Sequence, residues 1–69
     1  MKVGDRVRVA RMDEYTLQVY EKYGIPSRIG MEGVITEINY NKGMNREEVV
    51  IQTGAEFWIW EPWQLEVIE

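Results

Sequence analysis

Short stretches in which apolar and polar side chains alternate constrain the fold of this chain more than any other feature. In the first, Val7 and Val9 alternate with Arg6 and Arg8, just after a Gly-Asp turn signal. A period of two is typical of a β-strand that buries one face. Similar stretches, separated by turns, predict five strands: residues 6–11, 30–40, 47–53, 55–60 and 65–68.

The fourth predicted strand, Ala-Glu-Phe-Trp-Ile-Trp, is unusually aromatic. Phe57 and Ile59 fall on one of its faces, and Trp58 and Trp60 fall on the other. We interpret the face of Phe57 and Ile59 as the core side. The tryptophan face then needs a cover from elsewhere in the chain.

A Tyr-rich segment, residues 12–27, lies between the first two predicted strands. Its apolar and aromatic residues have helical spacing, with Asp13 as an N-cap, Lys22 near the C-terminus and Gly24 as the residue after the C-cap. Pro26 prevents any continuation. These features favour a short helix, and an irregular insert with extended pieces is the alternative because Tyr, Thr and Val are good strand residues.

A predicted single turn of 3₁₀ helix at residues 61–64, Glu-Pro-Trp-Gln, precedes the last strand, because proline cannot donate to a sheet. A chain of 69 residues is long enough for one domain. Together these elements predict an all-β domain, a five-stranded SH3-like barrel. Closure of the barrel removes the exposed strand edges of a small open sheet.

The composition restricts the chemistry. Cysteine and histidine are both absent, which excludes disulfides, zinc sites of the usual kind, thiol nucleophiles and imidazole catalysis. No nucleophile–base pair or metal set can be written from the remaining residues, so we expect no enzymatic activity and no cofactor. The net charge of −4 disfavours nucleic-acid binding. No apolar run reaches membrane-spanning length and no signal-peptide pattern is present, so we expect a cytoplasmic protein without membrane contact.

Three segments carry a resemblance to known barrels: VGDRVRV at the start, GMEGVITEI in the middle and EPWQLEVIE at the end. This pattern resembles the SH3-like superfamily. It is similar to the variable chain of ferredoxin–thioredoxin reductase, to a small accessory subunit of photosystem I, and to Mib/Herc-type and KOW-type barrels. The resemblance implies a non-catalytic domain that docks onto a larger protein. The Ala-Leu-Tyr-Asp-Tyr run of peptide-binding SH3 domains is absent, so binding of proline-rich peptides is not implied.

Aromatic residues of the insert and of the fourth strand form the candidate partner-binding surface, because Trp and Tyr are enriched in interface hot spots. The structural alternative is that the insert packs on the tryptophan face and covers it. Both interpretations can hold for different side chains. The candidate residues are Tyr15, Tyr20, Tyr23, Trp58, Trp60 and Trp63.

A basic stripe, Arg6, Arg8 and Arg11, is the second candidate. It is interpreted first as a solvated face paired with acidic residues across the sheet, and otherwise as a contact for phosphate or an acidic partner.

The sequence therefore leaves three functional hypotheses. The first is a protein-binding module, an accessory subunit or small regulator, whose acidic rim steers a basic partner. The second is a small acidic inhibitor, of phage origin, of a nucleic-acid-binding protein or enzyme. The weakest is a nucleic-acid-binding barrel. A homodimer, in which the aromatic surface is a self-interface, also stays open.

Overall fold

The computed structural model describes residues 1–68 and consists mostly of β-structure. Five strands form one antiparallel sheet, in which the fourth strand along the chain pairs with the third, the third with the second, the second with the first, and the first with the fifth. The helix and the 3₁₀ turn that the sequence predicts are both present. The elements are β1 (Arg6–Val9), α1 (Glu14–Lys22), β2 (Glu32–Asn41), β3 (Arg46–Thr53), β4 (Glu56–Trp60), the 3₁₀ helix (Pro62–Gln64) and β5 (Leu65–Val67).

The first strand is shorter than the strand over residues 6–11 that the alternating pattern predicts. It ends at Val9, two residues before the predicted end, because the next two backbone N–H groups leave the sheet ladder. The N–H groups of Ala10 and Arg11 both donate to the carbonyl of Gln64, at 2.8 and 3.3 Å. These bonds tie the start of the insert to the 3₁₀ helix at the far end of the chain.

The insert forms a helix with both predicted caps. The Asp13 side chain accepts from the backbone N–H of Thr16 at 2.9 Å, as an N-cap should. After the helix, Gly24 has a φ of +68° and Ile25 N–H donates to the Tyr20 carbonyl at 2.8 Å. This is the Schellman arrangement, in which glycine adopts the left-handed conformation at low cost.

The long second strand lies between two neighbours. Residues 32–34 at its start pair with β1, and residues 34–41 pair with β3. The register with β3 shifts between Ile35 and Glu37, so an irregularity interrupts the alternation. As a result Ile38, three residues after the buried Ile35, also packs against the core. Strict alternation over this strand would place the two on opposite faces.

The interpretation of β4 is wrong as to its faces. Phe57 and Ile59 are 62% and 63% exposed, whereas Trp60 is 8% exposed and Trp58 packs against the core. In the sheet register, Trp60 lies opposite Val49 and Trp58 opposite Ile51, both of which are buried. Directly opposite residues share a face. The larger tryptophan side chains therefore take the inner face, where they remove more apolar area from water.

The core draws on every element of the sheet and on the start of the insert. Five side chains in it have essentially no exposure: Val7, Val9, Ile35, Val49 and Ile51. Met12, Trp60 and Leu65 complete the buried cluster, and Leu17 and Tyr20 of α1 pack against its edge. The helix thus covers part of the tryptophan face. No helix within residues 1–68 is long and apolar enough to cross a membrane.

Candidate functional site

A surface cavity of about 270 Å³ lies where α1, β3, β4 and the 3₁₀ helix meet. Its walls combine aromatic rings, carboxylates and one guanidinium. The lining residues that matter chemically are Asp13, Thr16, Tyr20, Arg46, Glu48, Trp58, Trp60 and Glu61.

The helix contributes its N-cap and one face to this cavity. Thr16 and Tyr20 are four residues apart, so they lie on the same side of α1. Asp13 is held in place by two bonds from Thr16, one from its backbone N–H and one from its hydroxyl at 2.7 Å. The hydroxyl bond, and then the backbone bond, lower the pKa of the Asp13 carboxyl from its usual value. Asp13 therefore presents a negative charge at neutral pH.

Two tryptophan rings form the wall from β4. They alternate with Ile59, and the register places them opposite the buried Val49 and Ile51 of β3. The indole Nε1 atoms of Trp58 and Trp60 are buried and have no hydrogen-bond acceptor among the described residues. An unpaired buried donor costs about 1–3 kcal/mol. Both indole N–H groups are therefore enclosed by the fold and are not accessible from solvent.

Negative charge dominates the rim. Asp13, Glu48 and Glu61 line the cavity against one cation, Arg46. The Arg46 guanidinium spans two of these carboxylates, with Nη2 at 3.5 Å from Glu48 Oε2 and Nη1 at 3.8 Å from Glu61 Oε2. Both distances are long for charge-assisted hydrogen bonds, so these pairs are loose. The cavity keeps an excess of negative charge, which favours a cationic ligand.

A second guanidinium lies beside the same wall. The Arg28 Cζ atom is 4.8 Å from the centroid of the Trp58 ring, within the range of a cation–π contact. The ring is thus held against the structure by a residue of the α1–β2 connection. This contact shows that a guanidinium fits against Trp58.

The predicted aromatic surface is divided by the structure. Tyr20, Trp58 and Trp60 come together in the cavity, with Trp60 mostly enclosed. Tyr15, Tyr23 and Trp63 are exposed and do not line it. The first two lie on and directly after α1, which borders the cavity.

The basic stripe is engaged within the chain. Arg6 forms an ion pair with Glu32 at 3.3 Å, and Arg8 forms one with Glu66. The Arg11 guanidinium donates to the backbone carbonyl of Trp63. The first two contacts are the cross-strand pairing that the structural interpretation of the stripe expects.

Sequence reasoning missed the charged half of the cavity. Arg46 and Glu48 occupy alternating positions at the start of β3, and Glu61 precedes the 3₁₀ helix. Each looks like an ordinary solvated residue in the sequence. The Asp13–Thr16 pair was the one sequence signal for a charge at this cavity. An N-cap carboxylate is held at the start of its helix, next to the strands on which that helix packs.

Comparison of the chain with protein-family models, with curated proteins and with solved structures returns no match. Within the described residues, no group of three or more acidic side chains is placed to hold a metal ion. The site is therefore interpreted from its own geometry.

Proposed function

We propose that this chain is a non-catalytic protein-binding module, and that the cavity bounded by α1, β4 and the 3₁₀ helix is the centre of its binding surface. The observation that carries the proposal is the lining itself: three carboxylates against one guanidinium, on walls made by Tyr20, Trp58 and Trp60. Trp and Tyr are enriched in interface hot spots, and a polar, solvent-accessible rim surrounds the buried centre of an interface.

The partner in this proposal is a basic protein. The acidic rim belongs to a chain whose net charge is −4, so long-range attraction steers a cationic surface toward it. The exposed rings of Tyr15 and Tyr23 extend the contact along α1 beyond the cavity. Engagement of Arg6 and Arg8 by carboxylates argues against the nucleic-acid alternative, because it reduces the cationic surface that phosphates need.

The fold in this proposal is an SH3-like barrel. The order β4-β3-β2-β1-β5 supports it, because only the 3₁₀ helix separates the two outer strands along the chain. Trp60 at the end of β4 and Leu65 at the start of β5 belong to one buried cluster. The irregularity after Ile35 supports it as well, since such interruptions let a strand bend and serve two neighbours.

Photo-crosslinking in the source cell tests the function. A benzoylphenylalanine in place of Tyr23 is expected to crosslink one protein of basic character, because this position is exposed at the end of α1, three residues after the cavity residue Tyr20. The matched control is the same residue in place of Val3, which is 59% exposed and does not line the cavity. Equal labelling from both positions, or none from either, would contradict the proposal.

A further inference from the structure

The size of the cavity limits what can occupy it. Sites for drug-sized ligands usually enclose roughly 300–1,000 Å³. The cavity between α1 and β4 has about 270 Å³ and is open at its surface. It is therefore suited to a single side chain delivered by a larger partner, rather than to a free metabolite enclosed on all sides.

The charge of the lining selects the sign of that side chain. Asp13, Glu48 and Glu61 supply three carboxylates and Arg46 one guanidinium, so the lining carries an excess of two formal negative charges. An anionic side chain would be repelled, and an apolar one would leave the excess negative charge of the lining uncompensated. A cationic side chain satisfies both the carboxylates and the aromatic walls.

Two internal contacts indicate which cation fits. Arg28 lies over the Trp58 ring at 4.8 Å, and Arg46 spans Glu48 and Glu61. A guanidinium is planar, stacks on rings and presents several donors to paired carboxylates. An ammonium group is compact and strongly hydrated, so it gains less from a ring that is already partly buried.

From these observations we infer that the cavity receives one arginine side chain of a peptide segment of the partner. The inference rests on the proposed function and specifies its ligand. The guanidinium of the incoming arginine lies among Asp13, Glu48 and Glu61 and competes with Arg46 for the last two. Arg46 is thus an internal occupant that holds the two carboxylates in the free protein.

Titration with simple basic peptides tests the inference. Oligoarginine, oligolysine and oligocitrulline of equal length are added to the ¹⁵N-labelled chain, and the indole N–H signals are followed by NMR. Oligoarginine is expected to shift the signals of Trp58 and Trp60 in a saturable way and to leave that of Trp63 little changed. Oligocitrulline, which has the same shape without the charge, is expected not to bind.

Substitutions of neighbouring residues locate the contact. Glu48→Gln is expected to weaken oligoarginine binding by about fivefold, the upper range for one solvent-accessible ion pair. Glu47→Gln removes the same charge one residue away, outside the cavity lining, and is the matched control with less than about a twofold effect. Arg46→Gln is expected to tighten binding by about fivefold, because it removes the internal competitor.

The outcomes separate the inference from the proposed function. Equal affinity and equal shifts with oligolysine overturn the choice of arginine, and a basic partner still stands. Shifts that avoid Trp58 and Trp60, equal losses from Glu47→Gln and Glu48→Gln, or unchanged binding by Arg46→Gln overturn the cavity as the arginine site. If neither oligoarginine nor oligolysine binds, the inference and the basic partner are both overturned.

Discussion

Replacing Gly33 with alanine tests how closely β2 approaches β3. A Cβ atom at this position would lie 2.7 Å from the backbone oxygen of Gln52 and 2.7 Å from the Thr53 hydroxyl oxygen. The first contact is with backbone, which cannot move without disturbing the β2–β3 ladder. The Thr53 hydroxyl also donates to the Glu32 carbonyl at 2.9 Å, so it cannot swing away without losing that bond.

The expected cost of Gly33→Ala follows from these contacts. Overpacking of a well-packed site costs about 1–3 kcal/mol. A chain of 69 residues has a free energy of unfolding of roughly 3–10 kcal/mol, so the loss is a large share of the total. For a domain of this size, each kcal/mol lowers Tm by about 4–8 °C.

Urea denaturation of the two alanine variants provides the measurement. Gly43→Ala is the matched control, because its nearest neighbour would be the Asn41 side-chain oxygen at 3.4 Å and its backbone needs no left-handed conformation. The control should change the free energy of unfolding by less than about 0.5 kcal/mol. If Gly33→Ala were as stable as Gly43→Ala, the close approach of β2 and β3 at this point would be refuted.

Three further predictions concern the tryptophan face and the helix cap. In urea denaturation, Trp60→Ala should lower the free energy of unfolding by about 3–5 kcal/mol, and Trp63→Ala, at a half-buried side chain, by about 1–2 kcal/mol. Equal losses would contradict the burial of Trp60. Phe57→Thr should change stability by no more than about 0.5 kcal/mol, and a loss of several kcal/mol would restore its face as the core side. In a ¹³C NMR titration, Asp13 should show a lowered pKa, and Thr16→Val should raise it, because the Thr16 hydroxyl bond is the largest cause of the shift. The stabilisation that the Asp13 carboxylate provides is fully present above the pKa of the unfolded chain, and it is lost as pH falls through the lowered pKa of the folded chain. If Thr16→Val left the pKa of Asp13 unchanged, the hydroxyl bond would be refuted as the cause of the shift.

The sequence was sufficient to predict the strands and the helix, and insufficient to predict which face of β4 is buried. Alternation and turn residues predicted all five strands, and the cap residues Asp13 and Gly24 predicted the helix. Alternation states that Phe57 and Trp58 lie on opposite faces but does not state which face is inside. That choice depends on pairing with Val49 and Ile51, which are nearby only after the hairpin has formed.

The candidate site was half predictable for a similar reason. The aromatic residues Tyr20 and Trp58 attract notice in any sequence, because large rings are uncommon and favour interfaces. The charges that complete the cavity come from separate elements, Glu48 from β3 and Glu61 from the start of the 3₁₀ helix. No spacing rule joins such residues, since only the tertiary arrangement brings them together.

Competition for the photo-crosslink tests whether a basic partner binds at the cavity between α1 and β4. The crosslink from benzoylphenylalanine at position 23 is measured with increasing oligoarginine or oligocitrulline. Oligoarginine is expected to abolish the crosslink, and oligocitrulline is expected to leave it unchanged. A crosslink that survives saturating oligoarginine would show that the partner does not bind at the cavity.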